Sequence, residues 1–284
     1  LTNSASFAIL FYTDDRGTNR TRQKAIQGEV KEMKIGIVGV PPQEILDEYR
    51  GNDFIDLDTL FDFTDNSKAE TYLPKIYCAT IKSIIANALT IKADLIIFDN
   101  GYSKCDNGRF VSEILKRELN VPIITTQNNA TRRQPQIICE SDLELRKKFD
   151  LIVDSVVKDV DKSKLKYIEP EYGFWGVPPN DFGILDLFPK ETHVFGWARC
   201  MEAKVPADLE LEMMVGEDLP TVFYAQAFCS KNSLAKYLAK KHNGLYVEVD
   251  DVLDNSVKSK IEAYLMLNKK GSTLIFKKGS APIF

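Results

Sequence analysis

Apolar residues in this chain fall into short continuous runs, separated by longer stretches with helical periodicity. Residues 34–40 (KIGIVGV) are almost wholly apolar and end at Pro41-Pro42, as expected of a strand buried on both faces. A proline at the first helical position then suits a helix over 43–50. Further strands are expected at 54–57, 93–98 and 121–126. Ile76, Ile81, Ile84, Ile85, Ala88 and Leu89 recur at helical spacing and predict a helix over 73–91. A second helix is expected over 108–119, a polar helix over 140–149, and a strand over 151–157. The charged stretch 159–166 (DVDKSKLK) reads as a boundary. Beyond it the pattern predicts helices at 205–214, 230–241 and 256–267, and strands at 221–227 and 244–249. Residues 6–12 (SFAILFY) read as an edge strand, and 269–284 as a basic tail. Such alternation implies parallel sheets covered on both faces. The expected fold class is α/β: two Rossmann-like lobes with parallel sheets, related by internal duplication. The expected domains are an N-terminal extension (1–33), a first lobe (34–160), a second lobe (161–268) and a tail (269–284).

Two repeats support the duplication. GVPPQEILD at 39–47 is matched by GVPPNDFGILD at 176–186. Cys78 and Cys105 are 105 − 78 = 27 positions apart, and Cys200 and Cys229 are 229 − 200 = 29 apart. In each half the second cysteine lies just past an expected strand and before an expected helix. Thiolates at the carboxyl ends of parallel strands point into the crevice where such sheets bind ligands, and a helix N-terminus stabilises a thiolate. Cys78, Cys105, Cys200 and Cys229 are therefore candidate ligands of a metal or iron–sulfur site between two lobes. Cys139 stands outside the repeated pattern and is expected not to be a ligand.

Composition narrows the field. The chain has 284 residues, 44% of them hydrophobic, and a net charge of −4 with both signs mixed. That charge argues against nucleic acid as the main partner. No apolar run reaches the ~18 residues a membrane span needs, and Leu1 to Leu10 does not read as a secretory signal. With five cysteines, an odd number, a disulfide framework is not expected, and the reading is cytoplasmic. Neither G-x-G-x-x-G nor G-x-x-x-x-G-K-[ST] occurs, and Pro41-Pro42 removes amides that a phosphate loop needs. His193 and His242 stand at no metal-ligand spacing; His242 is expected to end a helix. Asp99-Asn100-Gly101 and Asp106-Asn107-Gly108 are ordinary turn chemistry. Trp175 and Trp197 read as core or interface residues, although 174–176 could line a pocket. Any single cysteine is equally a small buried hydrophobe. A cofactor-free binding or scaffold protein and a zinc–cysteine protein thus remain alternatives.

Several short phrases together resemble the 2-hydroxyacyl-CoA dehydratase and benzoyl-CoA reductase subunits. These are Pro42 to Ile45 after the first strand, Cys78 with Lys82 four residues on, and KCDNGR at 104–109. Ala227-Phe228-Cys229, the acidic strand end Glu248 to Asp251 and KIEAYL at 260–265 complete the set. The resemblance implies a [4Fe–4S] cluster held by Cys78, Cys105 and Cys229, with Cys200 as a possible fourth ligand. It implies an oxidoreductase or lyase that passes low-potential electrons to a small substrate, such as an acyl-CoA thioester. The implied partners are a homologous subunit, in a homo- or heterodimer, and an ATP-dependent activator or other low-potential electron donor. The implied pocket holds Tyr77, Asn100 and Trp175, with Lys82 and Asp106 as catalytic candidates. The chain is shorter than usual in the helical middle, so a small pocket, or one completed by a second subunit, is expected.

Overall fold

Two four-stranded parallel sheets carry the fold. The computed structural model describes residues 32–269 except Asp62 and Ser103; the strand expected at 6–12 and nearly all of the 269–284 tail lie outside the described residues. The first lobe contains β1 (Lys34–Val38), α1 (Gln43–Glu48), β2 (Asp53–Asp56), α2 (Ala79–Thr90), β3 (Leu95–Asp99), α3 (Asp106–Glu118), β4 (Ile123–Thr126) and α4 (Leu145–Val157). The second contains β5 (Tyr172–Trp175), β6 (Thr192–Phe195), α5 (Trp197–Glu202), α6 (Leu209–Met213), β7 (Thr221–Ala225), α7 (Lys231–Lys241), β8 (Leu245–Glu248) and α8 (Asn255–Leu267). The strand orders are β2-β1-β3-β4 and β6-β5-β7-β8, the same topology twice. In both sheets the chain reverses direction of growth at the central pair, β1/β3 and β5/β7, which is where doubly wound sheets open a crevice at their carboxyl edge.

The strand period of two sorts the core into layers. Ile35, Ile37, Leu95 and Ile97 enter one cluster with Tyr172, Phe174, Val222 and Tyr224 of the second lobe. The alternate residues Val38, Ile96 and Phe98 face outward onto α2 and α3 through Ile81, Ile84, Val111 and Leu115. In the second lobe Trp175 and Phe223 face outward onto α7 through Ala235 and Leu238. Each sheet thus turns one face to a core shared by both lobes.

Helix α4 runs through that shared core. Leu145, Phe149, Ile152 and Val156 form one helical stripe within it, and Phe149 meets Phe174 edge-on at 5.7 Å. Lys148, fully buried, donates from Nζ to the carbonyls of Thr192 (2.6 Å) and Lys190 (3.3 Å). Burial lowers its pKa to about 8. Burying each large side chain of the stripe contributes about 1.5–3 kcal/mol.

Several expectations are corrected. The strand read at 151–157 and the helix read at 140–149 are parts of the single helix α4. Its carboxyl half, LIVDSVV, is apolar on most sides because sheets lie on both sides of it. The helix expected from residue 73 begins at Ala79, because Pro74 has no amide and disfavours helical geometry in the residue before it. Ile76 is accordingly exposed. The strands β5 and β6 and the helix α5 were not expected; each is only four to six residues long. In place of a helix over 205–214 there is only α6. The stretch at 159–166 does connect the two sheets, but a bridge between Ser141 and Tyr167 pins it. His242 is the C-cap of α7, as expected. Among the described residues no helix is long and apolar enough to cross a membrane.

Candidate functional site

Three of the five cysteines stand at helix starts. Cys78 is the N-cap of α2, Cys105 is the N-cap of α3, and Cys229 immediately precedes Ser230, the N-cap of α7. Cys105 follows β3 and Cys229 follows β7, so the central strand of each sheet delivers one thiol past its carboxyl end. The three lie within electrostatic reach of one another. Burial pushes the Cys78 thiol up to about 12; the Ile81 amide opposes this, and the neighbouring Cys229 and Cys105 add to it. Burial also raises Cys229, against the Lys231 amide and ammonium, and Cys105 contributes in the same direction. Cys105 itself is exposed. The site therefore combines two half-buried cysteines with one that is open to solvent.

The lobes are fastened beside these thiols. The ring of Tyr77 stacks on that of Phe228 at 5.8 Å and 9°, so the neighbours of Cys78 and Cys229 touch. Tyr77 donates its hydroxyl to Asn107 Oδ1 (2.8 Å) in α3. Asn180 of the second lobe donates from Nδ2 to the carbonyls of Asp250 (2.6 Å) and Tyr77 (3.4 Å). Beside the first turn of α2 a space of about 20 Å³ lies against Ala79, Thr80, Pro178 and Pro179. That is about the room one water needs and too little for an acyl group.

Two side chains on the cysteine-bearing loops carry buried atoms without a hydrogen-bond partner among the described residues. Asn100 directly follows β3 and has a free Oδ1. Gln226 directly follows β7, is fully buried, and has neither Nε2 nor Oε1 engaged. A buried polar atom left alone costs about 1–3 kcal/mol. Such costs concentrate where a ligand or cofactor completes the structure.

The structure does not bring Cys200, Lys82 or Trp175 into this group. Cys200 lies inside α5, in a small cluster with Ala203, Val205 and Leu211. Its sulfur accepts from the Asp208 amide (3.5 Å) and faces the Asp208 carbonyl. Burial raises its pKa to about 11. The match with Cys78 holds in sequence, but Cys78 begins a helix and Cys200 is enclosed by one. Cys139 is fully buried in the shared core, and Glu202 accepts its amide. Lys82 is not presented to a ligand: it is buried, donates to the Lys75 carbonyl (2.8 Å) and sits 3.6 Å from Glu70. Trp175 faces α7 rather than the crevice, and its indole donates to the Glu212 carbonyl (2.6 Å). Asp106 is exposed in the first turn of α3, where a carboxylate suits the helix dipole.

A second group went unread in the sequence. Asp56, Asp58 and Asp99 are buried at the carboxyl edge of the first sheet. Asp58 Oδ2 accepts the Gly39 amide (2.9 Å), Asp56 Oδ1 accepts the Asp58 amide (2.7 Å), and Asp99 Oδ1 accepts the Asn128 amide (3.0 Å). Burial raises the pKa of all three, and Lys104 opposes it in each. Gly39 has φ +73°, and a Cβ there would stand 2.5 Å from Lys104 Nζ. The ammonium thus lies against this edge, within 5.6 Å of the Phe98 ring centroid. The legible signal was D-x-D directly after a short strand.

Among the described residues no three His, Cys, Asp or Glu side chains are grouped tightly enough to share one metal ion. A one-ion thiolate cage needs sulfurs about 3.7 Å apart at ~2.3 Å bond lengths. A cuboidal cluster takes one thiolate per corner iron and spaces its ligands more widely. No family model matches this sequence, and a search of curated proteins finds no match to it.

Proposed function

We propose that this chain is an iron–sulfur redox protein in which Cys78, Cys105 and Cys229 hold a [4Fe–4S] cluster at the junction of the two lobes. The observation that carries this reading is that three cysteines from three separate helix starts, two in one lobe and one in the other, come within electrostatic reach of each other. The donor set fits the group, because soft thiolates from separate loops suit iron–sulfur ligation. The free atoms of Asn100 and Gln226 offer outer hydrogen-bonding groups on the same loops. When bound, the cluster supplies a one-electron carrier whose potential depends on burial and on hydrogen bonds to its sulfurs.

The chain's own residues have defined tasks in this reading. Cys78 and Cys229 shed protons that burial otherwise holds in place. The amides at the starts of α2 and α7 offset part of the negative charge gathered there. The Tyr77–Phe228 stack and the Asn180 bonds hold the two lobes in register. The exposed side of the site is at Cys105, which is where an electron donor or a small substrate gains access. In this reading a thioester substrate is met on a surface completed by a second subunit. ATP-driven reduction falls to a separate protein, since the chain carries no phosphate loop.

The test is anaerobic. The protein is reconstituted with iron and sulfide, its absorption near about 400 nm and its EPR spectrum are recorded, and it is reduced with a low-potential donor before acyl-CoA thioesters are offered. A brown protein that becomes EPR-active on one-electron reduction supports the cluster. Metal bound without sulfide points to zinc-type ligation, and a colourless protein under strict anoxia returns the chain to a cofactor-free scaffold.

A further inference from the structure

A cavity of about 600 Å³ opens along β2, an outer strand of the first sheet, and none of the cysteines lines it. Its volume is that of an ordinary small-molecule site. Two polar side chains that line it are incomplete. Asp56, 3% exposed, has no hydrogen-bond partner for Oδ2, and Thr59 has none for Oγ1, among the described residues. Two aromatic residues of the lining, Phe61 and Phe63, stack on each other at 4.9 Å and 7°. Phe63 is 56% exposed, so it offers a ring to a guest. At the other end of the strand, Lys34 and Lys92 also line the cavity, and neither makes an ion pair among the described residues.

The register fixes the scale. Lys34 pairs with Asp53, and Asp56 lies three residues further along β2, a rise of about 10 Å. A ligand reaching from the carboxyl end of the strand to the lysines spans that length, with a polar edge at one end and negative charge at the other.

We propose that this cavity binds a planar heteroaromatic ring bearing an anionic tail, of nucleoside-monophosphate size. The ring stacks against Phe63, its polar edge completes Asp56 and Thr59, and its tail meets Lys34 and Lys92. Burial raises the Asp56 pKa, and its unpartnered Oδ2 is the atom that the polar edge of a nucleobase would meet. The absence of a phosphate loop restricts the tail to one or two charges met by lysines.

Calorimetry on the full chain tests the proposal with AMP, flavin mononucleotide, adenosine (ring without charge) and ribose 5-phosphate (charge without ring). AMP or flavin mononucleotide is expected to bind, adenosine at least about fivefold more weakly, and ribose 5-phosphate not measurably. Phe63→Ala and Lys92→Ala, both at the surface, should each weaken binding about fivefold, the weight of one stacked ring or one charge contact. Thr59→Val should weaken it while the melting temperature stays within a few degrees. Cys105→Ala should bind the nucleotide like the parent, which separates this site from the iron–sulfur reading. Failure of both nucleotides to bind at millimolar concentration, or binding that Phe63→Ala, Lys92→Ala and Thr59→Val all leave unchanged, overturns the proposal.

Discussion

The two lobes repeat a topology but not a site. Both sheets have the same strand order, and both place GVPP directly after the first strand of the lobe. Their first cysteines differ. Cys78 is the N-cap of α2 and shares its surroundings with Cys105 and Cys229, whereas Cys200 is turned into a private cluster beside Asp208. Their carboxyl edges differ as well. The first lobe gathers Asp56, Asp58 and Asp99 with Lys104. The second has Tyr224 at the matching edge, its hydroxyl donating to the Val249 carbonyl (3.2 Å), and the unpartnered Gln226. A duplicated scaffold fixes where strands end; it does not fix which residue of the following segment begins the helix. That single local choice decides whether a thiol faces the crevice or the core.

The largest expected effect lies where the lobes are least independent. Phe149→Ala in α4 removes a ring packed against both sheets and should cost about 3–5 kcal/mol. Chemical denaturation should still show one transition for both lobes. Two separate transitions in the parent protein would break the shared-core account.

The repeated GVPP phrase can be separated next. Gly39 has φ +73°, while Gly176 does not occupy that region of backbone space. Gly39→Ala therefore imposes strain and crowds Lys104, and should cost about 1–3 kcal/mol, measured as a shift in denaturation midpoint. A neutral substitution would show that this edge tolerates rearrangement.

Cys200→Ala should cost about 1 kcal/mol, the typical loss for a small change in a buried cluster, and leave any bound iron untouched. A loss of iron in this variant would restore Cys200 as a ligand and erase the distinction between the lobes.

The smallest effect concerns pH. Burial raises the Asp56 pKa, so the folded state keeps this proton to a higher pH than the unfolded chain does. Stability from this group is full below the ordinary carboxylate pKa of about 4 and declines as pH rises toward the raised value. Asp56→Asn removes that decline. Its melting temperature should exceed the parent's by more at pH 7.5 than at pH 5, and a difference that is constant with pH would contradict the assignment.

The α/β class, the two lobes and the helix starts after Cys105 and Cys229 were legible because continuous apolar runs and the residues after them carry the signal directly. The α4 segment was not, since a helix wedged between two sheets loses its polar face and its LIVDSVV run imitates a strand. The strands β5 (YGFW) and β6 (THVF) carry a glycine or polar residues and so do not read as continuous apolar runs. The candidate site was half legible. Spacing alone matched Cys200 to Cys78, yet Cys200 lies within α5 and packs with Ala203, Val205 and Leu211. Lys82 and Trp175 looked available as isolated residue types and are instead engaged by the carbonyls of Lys75 and Glu212. Such pairings depend on tertiary contacts that no spacing in the sequence reveals.

The most direct test of the central claim is the iron and acid-labile sulfide bound per chain after anaerobic reconstitution, compared for the parent, Cys78→Ala, Cys105→Ala, Cys229→Ala and Cys200→Ala. Loading should improve as pH rises, because Cys78 and Cys229 must lose protons to bind. The account predicts about four iron and four sulfide in the parent and in Cys200→Ala. It predicts a fall of at least about tenfold in retained iron for each of the other three. A parent protein that binds neither iron nor sulfide, or a Cys105→Ala protein that keeps its full complement, would contradict it.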